Sequence, residues 1–120
     1  MEHSKEFEKL VEEIMPNVKE ISVDETLEQI KDDAVLIDVR EDNEWQKGHA
    51  ADAVHIGKGV IERDIVHKFP DKSQEIILYC GGGYRSALAA DNLQKMGYKN
   101  VLSMKGGWSA YEEADAPIDK

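Results

Sequence analysis

The chain's only cysteine, Cys80, stands directly after an apolar run and directly before three glycines. Because glycine lacks a Cβ atom, residues 81–83 allow positive φ angles, which turn backbone N–H groups inward. A helix that begins near Arg85 would add unpaired amides and the positive end of its dipole, and the guanidinium adds a full charge. These features favour the thiolate over the thiol. The pattern therefore predicts a cysteine nucleophile that needs no histidine to accept its proton.

A simpler interpretation makes Cys80 a buried, inert residue that ends a strand before an ordinary turn. The coincidence of the glycines, the arginine and a strand-to-helix junction favours the chemical interpretation. A single cysteine permits neither an internal disulfide nor a thiolate metal cluster. It also leaves no resolving thiol in the chain, so any transfer or redox step at Cys80 must finish on another molecule.

The elements that position this loop alternate between strands and helices. Apolar runs bounded by turn residues predict strands at 18–21, 34–39, 53–56, 75–79 and 100–104. Helical periodicity and caps predict helices at 4–15, 22–30, 42–47, 60–69 and 85–96, with a last helix after 106–107. Such alternation is typical of an α/β domain with a mostly parallel sheet, which binds ligands beyond the carboxyl ends of its strands. Cys80 follows one of these ends.

The first predicted helix is amphipathic, since its apolar residues follow the i, i+3, i+4, i+7 pattern: Phe7, Leu10, Val11 and Ile14. We expect residues 1–17 to form this helix and its turn, packed on or beside the core, with 18–120 as the main domain. A surface for a partner is the alternative role of the apolar face.

Composition limits the partners and the compartment. With 15 basic and 25 acidic residues the net charge is −10, which disfavours nucleic acid as a partner. No apolar run approaches the roughly 20 residues of a membrane span. The N-terminus lacks the basic and apolar regions of a signal peptide. The expectation is a cytoplasmic protein with no membrane partner, present as a monomer or a weak homodimer.

Three segments, in this order, resemble the signatures of single-domain rhodanese-like sulfurtransferases. They are residues 36–41 with Glu44-Trp45 and Gly48-His49, the loop 80–86, and residues 106–108. The resemblance runs from about Ile21 to Tyr111 and leaves the first helix outside it. It implies a rhodanese-like α/β fold, with a five-stranded, mostly parallel sheet flanked by helices on both faces. It also implies that a sulfane sulfur is transferred through a cysteine persulfide, with no cofactor.

The same resemblance implies that Cys80 is the catalytic residue that accepts the sulfur. It assigns substrate binding to the following residues, of which the first five would hold the outer sulfur and an incoming anion through their amides: Gly81, Gly82, Gly83, Tyr84, Arg85 and Ser86. The Arg85 side chain would bind substrate or brace the loop, and Tyr84 would line the pocket. Asp38 and Arg40, at a strand end, are expected to brace loops. No metal is expected, because the histidines lack paired-ligand spacing.

The expected partners are a sulfur donor, which is thiosulfate, a polysulfide or a persulfide, and a nucleophilic acceptor, which is cyanide or a thiol. A protein thiol is a further candidate acceptor, and its carrier would need a basic docking face to meet this acidic chain. Relatives specialised for thiosulfate often carry basic residues in the loop, whereas no charge lies between Cys80 and Arg85 here. This neutral mouth weakens the case for thiosulfate as the physiological donor.

Two other classes of protein remain as alternatives. Cysteine-based phosphatases and arsenate reductases also surround an anion with a cysteine and an arginine, but the phosphatase loop is one residue longer. A histidine usually precedes the phosphatase cysteine, where this chain has Tyr79. The other alternative is a non-catalytic binding module with the same fold. Such modules usually lose the cysteine or the glycines, and this chain retains both.

Overall fold

The structure is a computed structural model that describes residues 3–120, in which a sheet of five parallel strands forms the centre. In chain order the described elements are α1 (Lys5–Ile14), a 3-10 turn (Met15–Asn17), β1 (Lys19–Ile21), α2 (Val23–Lys31), β2 (Val35–Asp38), α3 (Asp42–Lys47), β3 (His49–Ala50), β4 (Val54–His55), α4 (Ile61–Lys68), β5 (Ile76–Tyr79), α5 (Tyr84–Lys95), β6 (Val101–Met104), α6 (Gly107–Glu113) and β7 (Ile118–Asp119). The strand order β1-β6-β5-β2-β4 places β5 in the middle. The expected α/β fold is confirmed, and each pairing in this sheet is parallel. None of the helices within residues 3–120 combines the length and apolar character needed to cross a bilayer.

Helices cover both faces of the sheet, and the side chains of β5 alternate between the two. Ile76 and Leu78 pack in the layer that contains α1, α4 and α5, whereas Ile77 and Tyr79 pack in the layer of α2 and α6. A strand buried on both faces has a continuous apolar sequence, as residues 76–79 do. Cys80 continues the alternation on the first face. The thiol therefore faces the layer that contains α5.

Helix α5 lies close against the sheet because small side chains line its inner face. Ala87, Ala89 and Ala90 are fully buried there. Gly83, with a φ of 105°, precedes the helix, and Gly97, with a φ of 103°, follows it. Both angles lie in the left-handed region that favours glycine. The prediction of a helix at 85–96 is confirmed, with a shift of one residue at each end.

Helix α1 packs against α5 on the first face of the sheet. Its cap is Ser4, whose hydroxyl accepts a hydrogen bond from the Phe7 amide at 3.1 Å. Val11 is buried and Phe7 is half-buried, whereas Leu10 is 51% exposed at the edge of the apolar stripe. Of the predicted segment 1–17, residues 1 and 2 lie outside the described residues.

A small antiparallel sheet of β3 and β7 has no counterpart in the sequence predictions. Ala50 pairs with Ile118, and the Ala51 amide next to it donates to the Pro117 carbonyl at 2.9 Å. Each strand has two residues, which is too short to show an alternation of apolar and polar positions. The pairing joins the C-terminal residues to the segment that follows α3.

Candidate active site

Cys80 lies at the base of a cavity of about 550 Å³, at the carboxyl end of β5. The residue is 1% exposed, and the Gly83 amide donates a hydrogen bond to its Sγ at 3.1 Å. The first-turn amides of a helix have no partner within the helix, and they form the positive end of its dipole. The beginning of α5 therefore brings partial positive charge to the sulfur.

Most of the site residues predicted from the sequence meet at this cavity. Four of them line it together with the thiol: Gly81, Gly82, Tyr84 and Arg85. The expectation that Tyr84 lines the pocket is therefore confirmed. Gly83 contacts the sulfur through its amide and lines a neighbouring cavity of about 410 Å³. An added Cβ atom at Gly81 would lie 3.2 Å from Nη2 of Arg85, so this glycine leaves room for the arginine side chain.

Ser86, which the sequence placed in the substrate-binding set, lies beside the thiol and is fully buried. Its hydroxyl donates to the Gly83 carbonyl at 3.2 Å and lies 2.8 Å from the Ser103 Oγ on β6. The distance from Cys80 Sγ to Ser86 Oγ is 3.7 Å. Ser86 is not among the described residues that line the cavity. Its contacts are those of a residue that positions the loop.

The beginning of α6 holds the backbone of Cys80 and Gly81. The Trp108 amide donates to the Cys80 carbonyl at 2.7 Å, and the Ser109 amide donates to the Gly81 carbonyl at 3.2 Å. Gly107, with a φ of 54°, approaches so closely that an added Cβ atom would overlap the Cys80 carbonyl oxygen and lie 2.9 Å from the Gly81 carbonyl carbon. A glycine is therefore required at 107 for two reasons, the close approach and the left-handed φ.

Arg85 forms an ion pair across the cavity with Glu44 on α3. The two distances from guanidinium nitrogen to carboxylate oxygen are 2.8 and 3.2 Å. The hydrogen bond from Arg85 lowers the pKa of Glu44, and the bond to Glu44 raises the pKa of Arg85. Both groups are charged at neutral pH, so the positive charge of Arg85 is balanced within the site. Of the two roles expected for Arg85, this geometry provides the brace.

Asp38 and Arg40 form a buried ion pair, as the sequence predicted for residues that brace a loop. Nη2 of Arg40 lies 2.8 Å from the Asp38 carboxylate and donates to the Gly48 carbonyl at 2.7 Å. The guanidinium carbon lies 4.6 Å from the centroid of the Trp108 ring. Arg40 and Trp108 both line the cavity. The pair thus ties β2 to the end of α3 and to the beginning of α6, whose amides hold the Cys80 backbone.

Besides Trp108, three aromatic side chains line the cavity and contact one another, and we call them the aromatic rim: His3, Phe7 and Tyr84. The ring centroids of His3 and Tyr84 lie 4.5 Å apart, and those of Phe7 and Tyr84 lie 5.8 Å apart. The His3 and Phe7 rings complete the cluster at 5.1 Å. Two of these three residues come from α1 and the residues before it, which the sequence analysis left outside the site.

Sequence reasoning missed several residues that line the cavity: Glu44, His3, Phe7, Trp108 and Ser109. Glu44 stands in a segment that carried the family resemblance, but nothing in the sequence links it to Arg85, which follows 41 positions later. Phe7 was recognised as part of an amphipathic stripe, and a stripe identifies only the face of a helix that packs. No sequence signal distinguished packing on the core from packing beside the thiol.

Comparisons with known proteins agree with this geometry. Residues 22–114 match the family model described as a rhodanese-like domain. The thiosulfate sulfurtransferase GlpE of Pseudoalteromonas translucida (strain TAC 125) is 37% identical over 97 residues, which cover 80% of this chain and 90% of that protein. GlpE of Haemophilus influenzae (strain ATCC 51907 / DSM 11121 / KW20 / Rd) is 32% identical over 101 residues, 84% of this chain and 94% of that protein.

One solved structure resembles nearly the full length of the chain. It is a Rhodopseudomonas palustris CGA009 protein described as of unknown function and a possible tyrosine phosphatase. The match has a TM-score of 0.82, with 24% identity, and covers 99% of this chain and 98% of that one. At this identity the likeness concerns the fold alone.

Proposed function

The chain belongs to the rhodanese-like domain family, and from that premise we propose that it is a sulfurtransferase that carries a sulfane sulfur on Cys80. The observation that carries the proposal is the contact at 3.1 Å between the Gly83 amide and Sγ, at the base of a cavity open to small molecules. A main-chain donor at this point stabilises negative charge on the sulfur. The names of the curated relatives support the same class of reaction.

The reaction consists of two displacements on sulfur. The Cys80 thiolate attacks the sulfane sulfur of the donor, so that a new S–S bond forms while the old bond breaks. The remainder of the donor leaves with the bonding electron pair. An acceptor nucleophile then attacks the outer sulfur of the persulfide, and Cys80 leaves as the thiolate with which the cycle began. In a laboratory assay cyanide is the acceptor and thiocyanate is the product. In the cell the acceptor is a small thiol or a thiol on a protein.

The surroundings of Cys80 support each displacement. In both steps negative charge develops on sulfur atoms close to the beginning of α5, where the amides have no partner within the helix. The Trp108 amide fixes the Cys80 carbonyl, so the sulfur keeps its position while the outer atom arrives and leaves. Ser86 supports the same position through its bond to the Gly83 carbonyl. The group that reacts is thus held mainly by the backbone.

Intact mass spectrometry tests the proposal directly. The protein is incubated with thiosulfate or a polysulfide, and its mass is taken before and after treatment with a reductant. We expect a gain of one sulfur atom, about 32 Da, that the reductant removes and that Cys80→Ser abolishes. Equal uptake of sulfur by Cys80→Ser would refute the proposal. Release of phosphate from an aryl phosphate without any persulfide would favour a phosphatase instead.

A further inference from the structure

The first turn of α1 and the residues before it line the cavity, although they lie outside the residues that match the family model. That match begins at residue 22, whereas His3 and Phe7 form part of the cavity wall. Their rings contact Tyr84, the first residue of α5, at centroid distances of 4.5 and 5.8 Å. The cavity above the thiol is therefore completed by a segment that the matched domain does not include.

The position of Phe7 is set by helix packing. Val11, one turn after Phe7, is buried in the core layer that also contains Cys80 and α5. The Phe7 amide is bound by the Ser4 cap, so the first turn of α1 is fixed at the point where the ring is attached. A half-buried phenyl ring held in this way gives the mouth an apolar surface at a defined place.

Each arginine that lines the cavity is paired with a carboxylate. Among the described residues that line it, the lysine and arginine side chains are Arg40 and Arg85. Arg40 is paired with Asp38, and Arg85 is paired with Glu44. A donor with two negative charges, such as thiosulfate, would meet no unpaired arginine or lysine here. It would also approach a chain whose net charge is −10.

We propose, on the basis of the proposed function, that this site takes its sulfur from an organic donor with at most one negative charge. The donor carries an apolar group, such as a phenyl ring, that packs against aromatic side chains. The group lies against the aromatic rim, and the sulfane sulfur reaches Cys80 beneath it. An arylthiosulfonate represents the class. The thiolate attacks its outer sulfur, the S–S bond breaks, and the arylsulfinate leaves with the electron pair. Cys80 then carries the persulfide, and charge is conserved.

Three donors separate the effect of charge from that of the ring. Thiosulfate has two charges, methanethiosulfonate has one charge and a methyl group, and benzenethiosulfonate has one charge and a phenyl group. Thiocyanate formation from cyanide gives kcat/KM for each donor. Both thiosulfonates lose a sulfinate, and the intrinsic difference between the two sulfinates is the same in every variant. A change in the ratio of kcat/KM for the phenyl donor to that for the methyl donor, between a variant and the unchanged chain, therefore reports contact with the ring.

The Phe7→Leu variant tests the rim while it keeps an apolar side chain on α1. We expect it to lower the phenyl-to-methyl ratio by about three- to tenfold, which is the effect of an aromatic pair. Leu10→Ala is the matched control, because Leu10 lies on the same helix, is 51% exposed and is not among the cavity residues. This control should keep the ratio of the unchanged chain.

The outcomes distinguish this inference from the proposed function. If none of the donors loads sulfur on Cys80, the proposed function is wrong. If the donors load Cys80 but Phe7→Leu keeps the original ratio, only the inference is overturned. A second test uses the unchanged chain, so it remains valid if Phe7→Leu does not fold. Benzenesulfinate should inhibit at least about threefold more strongly than methanesulfinate. Equal inhibition by the two sulfinates would also reject the aromatic donor.

Discussion

The floor and the rim of the cavity are built in different ways. We define the floor as residues 80–83 and 106–108. Main-chain bonds hold it, from the Gly83 amide to Sγ and from the Trp108 amide to the Cys80 carbonyl. The rim, in contrast, consists of side chains that contact each other through their rings. The floor lies within the residues that match the family, whereas two of the three rim residues lie outside them.

Because floor and rim are built differently, the chemistry at the floor and the choice of donor at the rim can vary separately. The floor tolerates little change where two backbone segments meet, because an added Cβ atom at Gly107 would overlap the Cys80 carbonyl oxygen. A rim made of side chains can change its contacts without movement of the sulfur. The Arg85–Glu44 pair lies between the two regions and sets the charge that a donor meets. Substitutions in each region should therefore have effects of different size and kind.

The largest effect is expected at the floor, from Gly107→Ala. The new methyl group would overlap the Cys80 carbonyl oxygen, and alanine would be held at a φ of 54°. We expect the Cys80 loop to move and kcat/KM to fall by about a hundredfold or more for all donors. Thiocyanate formation measures this loss, and thermal unfolding reports whether the fold remains.

Gly59→Ala is the matched control for this prediction. A Cβ atom at Gly59 meets no atom within 4 Å, and its φ lies outside the left-handed range. This variant should retain the rate of the unchanged chain. A Gly107→Ala protein with nearly full activity would show that the close contact with Cys80 does not hold the thiol.

A moderate effect is expected from Glu44→Gln, whose position lies between floor and rim. Here we expect an increase in relative kcat/KM for thiosulfate, in contrast to the loss of kcat/KM expected for Gly107→Ala. Glutamine still accepts a hydrogen bond from Arg85 but leaves its positive charge unbalanced. The doubly charged donor should gain most, so the ratio of kcat/KM for thiosulfate to that for methanethiosulfonate should rise about fivefold. A ratio that stays the same would mean that the Arg85 charge does not reach the donor.

The pH range of that experiment follows from the ion pair. The hydrogen bond from Arg85 lowers the pKa of Glu44 from its usual value of 4.5, so the carboxylate is charged throughout the neutral range. Its contribution to stability is present above pH 4.5 and is lost as the pH falls through the lowered pKa. Kinetics at pH 7 to 8, on the order of three units above that value, compare the intact pair with the variant.

The smallest effect is expected beside the floor, from Ser86→Ala. The Ser86 hydroxyl contacts the Gly83 carbonyl and the Ser103 hydroxyl, and its removal leaves both buried groups with fewer partners. We expect a decrease of about 1 to 2 kcal/mol in the free energy of unfolding and a rate lowered about twofold. Ser103→Ala is the control, since Ser103 is equally buried and contacts Ser86 instead of the thiol. Equal rates in the two variants would remove Ser86 from the support of Cys80.

Local features of the sequence predicted most of the fold. The continuous apolar run at 76–79 indicated a strand buried on both faces, and Ser22 with Glu25 indicated the capping box that begins α2. Both signals act within a few residues, where sterics and hydrogen bonds decide the backbone. The pairing of β3 with β7 was missed, because two-residue strands contain no such local signal.

The sequence by itself determined a cysteine at a strand end, a glycine loop after it and a helix beyond, because these depend on local backbone geometry. Only the tertiary structure decided that Glu44 balances Arg85, that Gly107 rests against the Cys80 carbonyl and that Phe7 lies at the mouth above the thiol. These contacts join residues distant in the chain, and they form when the sheet and its helical layers pack together. The nucleophile is therefore encoded locally, whereas the surface that chooses its donor is a product of packing.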